Sequence, residues 1–238
     1  MRLWAIGDLH LPGGDKKPMD VFGGHWKNHF EKISQDWREK VSESDVVLIP
    51  GDISWAISLD KALQDLETIS ELPGTIVILK GNHDYWWNSL TQLRMRLPAN
   101  MHAVQNDAVR FGNLVIAGTR GWIIPSSANS QPDDQVQRIY NREVLRLGMS
   151  LDQAAVLAGD GCPIVAMMHY PPVTQDTVRT GTGFTETLTA RGIRECVYGH
   201  LHGNAIMGAY IGMYNHVNYD LVSCDALGFA LKEIPFGF

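Results

Sequence analysis

Cysteine is scarce: Cys162, Cys196 and Cys224 are the only three in 238 residues, and none belongs to a C-x-x-C pair. This excludes a disulfide framework and a cysteine-type zinc site, and it predicts three small hydrophobes buried in strands. A reducing, cytoplasmic location suits that usage. Long apolar runs are missing as well, so no segment is expected to span a bilayer and no membrane partner is expected. The opening MRLWAIGDLH turns polar at Asp8, too soon for a signal peptide to fit before it.

Positive charge is sparse and scattered. Twenty Lys and Arg stand against 26 Asp and Glu, a net charge of -6, with no basic run to follow a phosphate backbone. Long nucleic acids are therefore poor partners. Charged residues at 19% and hydrophobic residues at 45% are proportions of a globular chain, not a disordered one. Internal repeats and low-complexity segments are absent too, and residues 1–238 are read as one domain.

What the chain does have is a series of short aliphatic runs: LWAI from Leu3, VVLIP from Val46, TIVILK from Thr75, NLVIAG from Asn113, PIVAMM from Pro163 and ECVYG from Glu195. Near-continuous runs of this length suit strands buried on both faces. Between them, Trp26, Phe30, Ile33, Trp37 and Val41 recur at helical spacing, as do Leu59, Leu63, Leu66, Ile69 and Leu72 ahead of Pro73-Gly74. A third stripe, Val136, Ile139, Tyr140 and Val144, falls in DDQVQRIYNREVLRL. Strands alternating with helices predict a layered α/β architecture, and strand-like pieces such as Asn215 to Cys224 predict an antiparallel or second sheet. Arg120 to Asp134, rich in Pro, Ser and Asn, reads as a loop.

The stretch LKGNHDYW, Leu79 to Trp86, sets an Asn, a His and an Asp just past an aliphatic run, which suits a turn, a metal site or a catalytic acid. In open α/β sheets ligands bind beyond the carboxyl ends of the strands, and other runs here end the same way. LWAI leads into Gly7, Asp8, Leu9 and His10; VVLIP into Gly51-Asp52; PIVAMM into His169; ECVYG into His200, Leu201 and His202. Five runs deliver Asp8, Asp52, Asn82 and five of the nine histidines to one sheet edge. Gly7, Gly51, Gly81 and Gly199 precede them and permit unusual backbone angles or close approach. Imidazoles and carboxylates without thiolate suit Mn²⁺, Fe²⁺ or Zn²⁺. So many donors exceed one tetrahedral ion, and two ions bridged by a carboxylate would use them all. A hydrogen-bonded polar cluster without metal would bury these titratable groups at high cost.

The ordered set GDLH, GD, GNHD, an isolated His and GHLH resembles the calcineurin-like metallophosphoesterase superfamily, from Asp8 to His202. The resemblance implies a four-layer α/β/β/α sandwich with mixed sheets. It implies that Asp8, His10 and His202 hold one metal, that Asn82, His169 and His200 hold the other, and that Asp52 bridges both. His83 would stay free of metal and act on the substrate, with Asp84 beside it as a second catalytic residue or as the group that orients the loop. Two ions about 3.5–4 Å apart lower the pKa of a bridging water and clamp phosphoryl oxygens, and a protonated His83 can serve the leaving oxygen. The chain departs from the protein phosphatases of the superfamily, which write Gly-Asp-x-Val-Asp-Arg-Gly where this one has GDISWAI. It also departs from the lipid A pathway pyrophosphatases, which carry Arg where this chain has His83.

The expected activity is hydrolysis of a small phosphomonoester or phosphodiester, a nucleotide among the candidates. The alternatives are a metal-dependent nuclease, disfavoured by charge, and a non-catalytic binding scaffold of the same fold. Arg120 follows its strand as the motif residues follow theirs and is the candidate contact to a substrate phosphate. Arg179 is a weaker one, and Trp55 and Trp122 are read as packed side chains before base-stacking ones. His25, His29, His102 and His216 match no motif.

Overall fold

The computed structural model describes residues 1–15, 17–125 and 134–237. In chain order its strands are β1 (Leu3–Ala5), β2 (Val46–Ile49), β3 (Thr75–Leu79), β4 (Met101–Val104), β5 (Ala108–Phe111), β6 (Leu114–Thr119), β7 (Ile164–Met168), β8 (Glu195–Tyr198), β9 (Gly212–Tyr214), β10 (Val217–Leu221) and β11 (Lys232–Glu233). The α-helices are α1 (His29–Lys40), α2 (Leu59–Ser70), α3 (Leu90–Arg94), α4 (Asp134–Ala158) and α5 (Gly183–Ala190). No described helix is long and apolar enough to cross a membrane.

Two mixed sheets form. One runs β11-β1-β2-β3-β4 and the other β5-β6-β7-β8-β10-β9. β1 to β4 are mutually parallel, as are β6, β7, β8 and β10, while β11, β5 and β9 pair antiparallel at the edges. Strand alternation shows how the layers stack. Leu3, Ala5, Val46, Leu48, Val77 and Leu79 of the first sheet meet Leu114, Ile116, Val165, Met167 and Val197 of the second in one buried cluster between the sheets. The intervening residues point outward. Trp4, Val47, Ile49, Ile76 and Ile78 pack under Ile33 and Trp37 of α1 and Leu66 and Ile69 of α2. Val115, Ala117, Ala166, Met168, Cys196 and Tyr198 pack under Leu147 and Leu151 of α4 and Phe184 and Leu188 of α5. Helix, sheet, sheet and helix are thus the four layers expected from sequence.

The helix expected to start at Trp26 begins instead at His29, with Trp26 in a short 3₁₀ turn, Gly24–Trp26, and Asn28 in left-handed backbone at φ 55°. A left-handed residue cannot continue a helix, so the periodicity through Trp26 is coincidental. The helix over Leu59 closes at Ser70, leaving Leu72 in the turn that follows. The buried stripe of α4 runs through Tyr140, Leu147, Leu151, Ala154 and Ala158, whereas Val136 and Ile139 are half-buried. Most of the expected loop, 126–133, lies outside the described residues. Of the cysteines only Cys196 lies in a strand; Cys224 is buried after β10 and Cys162 is half-buried before β7.

The motif-bearing strands run parallel to one another within each sheet, β1, β2 and β3 in the first and β7 and β8 in the second, and a parallel bridge between Gly7 and Ser223 brings the carboxyl ends of both sheets to one edge. There the sheets are tied together: Gly7 N–H donates to the Val222 carbonyl at 2.6 Å, and Cys224 N–H donates to the Gly7 carbonyl at 3.0 Å.

Candidate metal centre

Four of the seven candidate ligands sit on strained backbone. Asp8, His10, Asp52 and His200 have φ of 59°, 47°, 50° and 76°, a left-handed region that side chains other than glycine rarely adopt. Such strain persists only where the surroundings over-determine it. The chain is also crowded here. A Cβ on Gly81 would lie 2.1 Å from Asp52 Oδ1, and one on Gly199 would lie 2.4 Å from Asp8 Oδ2. Glycine at these two positions is what lets the carboxylates sit against the neighbouring loops.

Two donor trios result. Asp8, His10 and His202 form one and Asp52, His169 and His200 the other, the donor atoms within each lying within 4.8 Å of one another. In the first, His10 Nε2 lies 3.4 Å from His202 Nε2, which is 3.6 Å from Asp8 Oδ1. In the second, His169 Nε2 is 3.6 Å from Asp52 Oδ2 and 2.6 Å from Asn82 Oδ1. Asp52 reaches both: its Oδ2 is also 4.0 Å from His10 Nε2 and 4.0 Å from His83 Nε2. All seven sequence-expected ligands, with His83, thus gather in one place.

The donors fit a cation. His169 Nδ1 lies 3.0 Å from the Pro50 carbonyl, an oxygen that only accepts, so the proton belongs on Nδ1 and the Nε2 lone pair faces Asn82 Oδ1. With the Asn82 amide in this orientation, two acceptors at such range repel unless both turn their lone pairs on one positive ion. Burial, ahead of the opposing Asp8 charge, lowers the His169 pKa, which works against the doubly protonated alternative.

Charges in the site are mutually frustrated. Burial, then the charge of Asp8, pushes Asp52 up to about 8. Burial also opposes ionisation of Asp8, but the hydrogen bond from His202 and the charges of His169, His202 and His10 together hold its carboxyl well below the usual range. Burial lowers His10 to about 3 and, with the His169 charge, His200 to about 4. Buried neutral imidazoles beside paired carboxylates form the electronic surroundings a divalent ion requires.

Outer contacts aim these groups. His200 N–H donates to Asp8 Oδ1 and Oδ2 at 3.1 and 3.0 Å, and His83 N–H donates to Asp52 Oδ1 at 2.8 Å. Asp84 is fully buried and accepts from Gly81 N–H, Asp52 N–H, Ile53 N–H, Ser54 N–H and Trp86 Nε1 at 2.7 to 3.3 Å. His29 Nε2 lies 2.8 Å from the Leu9 carbonyl, between the two ligands of that loop.

One residue escaped the sequence reading. Asp225 Oδ1 accepts from His202 Nδ1 at 2.8 Å, and its Oδ2 accepts from Gly203 N–H at 3.0 Å. For His202, burial is outweighed by the hydrogen bonds to Asp225 and Asp8, which raise its pKa to about 10. The signal was present: Asp225 follows the strand-like stretch that ends at Cys224, as the motif residues follow theirs.

Other candidates divide. The Arg120 carbonyl accepts from His169 N–H and Tyr170 N–H, while its guanidinium lies 5.0 Å from the Trp122 ring centre. Its positive charge is felt at His169 and at half-buried Lys80. Arg179 is exposed. Trp55 lies against His10 and His83. His102 packs on Phe111, and His216 occupies the β9–β10 hairpin turn with Asn215, both at positive φ.

Two sheets carrying paired imidazole and carboxylate groups at their joined strand ends define a metallohydrolase class. The chain belongs to the calcineurin-like phosphoesterase family, whose model matches residues 1–204. As a member it is a hydrolase of phosphoric esters, in a family that uses divalent metals. No curated protein matches it. Solved structures share the fold at low identity. A phosphopantetheinyl hydrolase from Mycobacterium tuberculosis is 15% identical with a TM-score of 0.56, over 98% of this chain and 95% of that one. TT1561 of Thermus thermophilus is 10% identical at 0.54, over 98% of each. A protein of unknown function from Aquifex aeolicus, AQ665, is 12% identical at 0.53, over 98% and 95%.

Proposed function

We propose that this chain is a dinuclear, metal-dependent hydrolase of a small phosphomonoester or phosphodiester, acting in the cytoplasm as a single domain. The observation that carries the reading is Asp52 Oδ2, which lies within 4.0 Å of a ring nitrogen from each donor trio. Asp8, His10 and His202 would hold one ion, Asn82, His169 and His200 the other, and Asp52 both. The thiolate-free donor set suits Mn²⁺, Fe²⁺ or Zn²⁺. When bound, such ions supply Lewis acidity and a water of lowered pKa.

The remaining work falls to the chain. His83, with a 35% exposed side chain and its Nε2 4.0 Å from Asp52 Oδ2, is assigned the contact to the leaving oxygen. Asp84 spends its carboxylate on the β2 and β3 loops and is assigned a positioning role rather than contact with substrate. Arg120 is assigned a phosphate oxygen. The hydrolase among the structural neighbours is in keeping with ester chemistry on this fold.

Metal-stripped protein titrated with Mn²⁺ against a chromogenic phosphomonoester and a phosphodiester tests the reading. Turnover should require metal, and His83→Ala should lose about 10²-fold or more of it while metal content stays near normal. Loss of metal in that variant would make His83 a ligand. Absence of metal-dependent turnover of either ester in the wild type would favour the scaffold.

A further inference from the structure

Beside the first donor trio opens a cavity of about 430 Å³ whose walls include Met19, Phe22, Trp26 and Trp55, with the imidazoles of His10 and His202 among its lining. Trp55 lies on His10, ring centroids 4.8 Å apart and planes 21° apart, and tilts against His83 at 4.5 Å. Trp26, almost wholly buried, meets His202 at 5.8 Å and is braced by Phe229 at 5.2 Å. Trp55 Nε1 is already engaged with the Met19 sulfur at 3.3 Å. The walls are therefore largely aromatic, with the Trp55 indole held in place at both its face and its N–H.

Two further features define what fits. Among the described residues lining this cavity there is no Lys or Arg, and the carboxylate there, Asp225, is committed to His202 and Gly203. Phe22 is 64% exposed and Val21 beside it 72%, so apolar surface continues from the wall out to solvent. Uncovered apolar surface joined to a pocket marks a ligand's path.

We propose that this cavity receives the leaving alcohol of the ester, and that this alcohol is uncharged and carries an apolar ring. The inference rests on the phosphoesterase reading of the neighbouring centre. A phosphate group bound at the metal-loaded centre would place its ester oxygen toward His83, with the alcohol beside the indoles of Trp26 and Trp55. A second phosphate or a carboxylate on that alcohol would find aromatic walls there in place of a Lys or Arg side chain and would meet the Asp225 carboxylate. In hydrolysis the P–O bond to this alcohol breaks and water supplies the oxygen newly bound to phosphorus. One of its protons ends on the phosphate and the other on the alcohol.

The test compares 2-(1-naphthyl)ethyl phosphate with ethyl phosphate, whose leaving alcohols are alike in acidity, each also as its methyl diester. The wild type should prefer the naphthyl ester in kcat/KM by at least about tenfold. Phe22→Glu, a change at an exposed position, should cut that ratio severalfold. A ratio near one in the wild type, or one unchanged in Phe22→Glu, overturns the proposal. Calorimetric binding of 2-(1-naphthyl)ethanol to the Mn²⁺-loaded protein separates the two claims. Saturable binding weakened at least about tenfold in Phe22→Glu, with neither ester hydrolysed, would keep the cavity and remove the phosphoesterase. Equal hydrolysis of both esters with no alcohol bound would do the reverse.

Discussion

Asp84 Oδ2, on the loop after β3, accepts the backbone N–H of Asp52, on the loop after β2, at 2.9 Å. The same oxygen takes Gly81 N–H at 2.7 Å, so one buried carboxylate fastens together the two loops that carry Asp52, Asn82 and His83.

Replacing Asp84 by Asn turns an amide NH₂ toward backbone donors and leaves some of them unpaired in a buried site. Each such group costs about 1–3 kcal/mol. Asp84→Asn should therefore destabilise the fold by about 3 kcal/mol and reduce metal retention, read from urea unfolding and from metal content after dialysis. A variant of wild-type stability and metal content would show that the carboxylate is not the fastener.

Asp225 fixes the His202 ring with Nδ1–H toward itself and Nε2 toward Asp8. Carboxylates behind ligating histidines typically account for about 10–100-fold in metal affinity. Asp225→Asn should weaken one of two Mn²⁺ binding steps by that factor while the other holds, measured by calorimetric titration. Equal weakening of both steps, or of neither, would contradict this.

Asp45 gives a pH dependence remote from the metal centre. Its buried carboxylate accepts from Arg2 N–H at 2.6 Å, Ser42 N–H at 3.0 Å and Trp4 Nε1 at 3.4 Å. Burial raises its pKa, but the hydrogen bonds from Ser42 and Arg2 outweigh burial and hold it well below the usual value. The unfolded chain binds this proton first as pH falls, so the stabilisation is complete above about pH 4 and fades below it. Asp45→Asn should cost about 2 kcal/mol at pH 7, and the gap to wild type should narrow toward pH 3. A gap that is constant with pH would sink the assignment.

The motif-bearing strands were legible because β1, β2, β3, β7 and β8 are buried almost throughout and read as short, mostly apolar runs. β5, β9 and β11 were not, since as half-exposed edge strands they carry no such run. The ligands were legible because each directly follows a buried run. Asp225 follows a strand-like stretch in the same way and was overlooked, whereas the aromatic cavity was missed for a different reason. Met19, Phe22 and Trp26 come from the turns before α1, Trp55 from the loop after β2 and His202 from the loop after β8, so their meeting is tertiary and leaves no spacing to read. Trp26 misled outright, because its spacing to Phe30 mimics a helix that Asn28 prevents.

The most direct measurement is the electron paramagnetic resonance spectrum of metal-stripped protein titrated with Mn²⁺, for the wild type and Asp52→Asn. Two equivalents should bind, with the spin-coupled signal of a bridged pair in the wild type and its loss in Asp52→Asn. A single, uncoupled ion at saturation in the wild type would contradict the dinuclear centre.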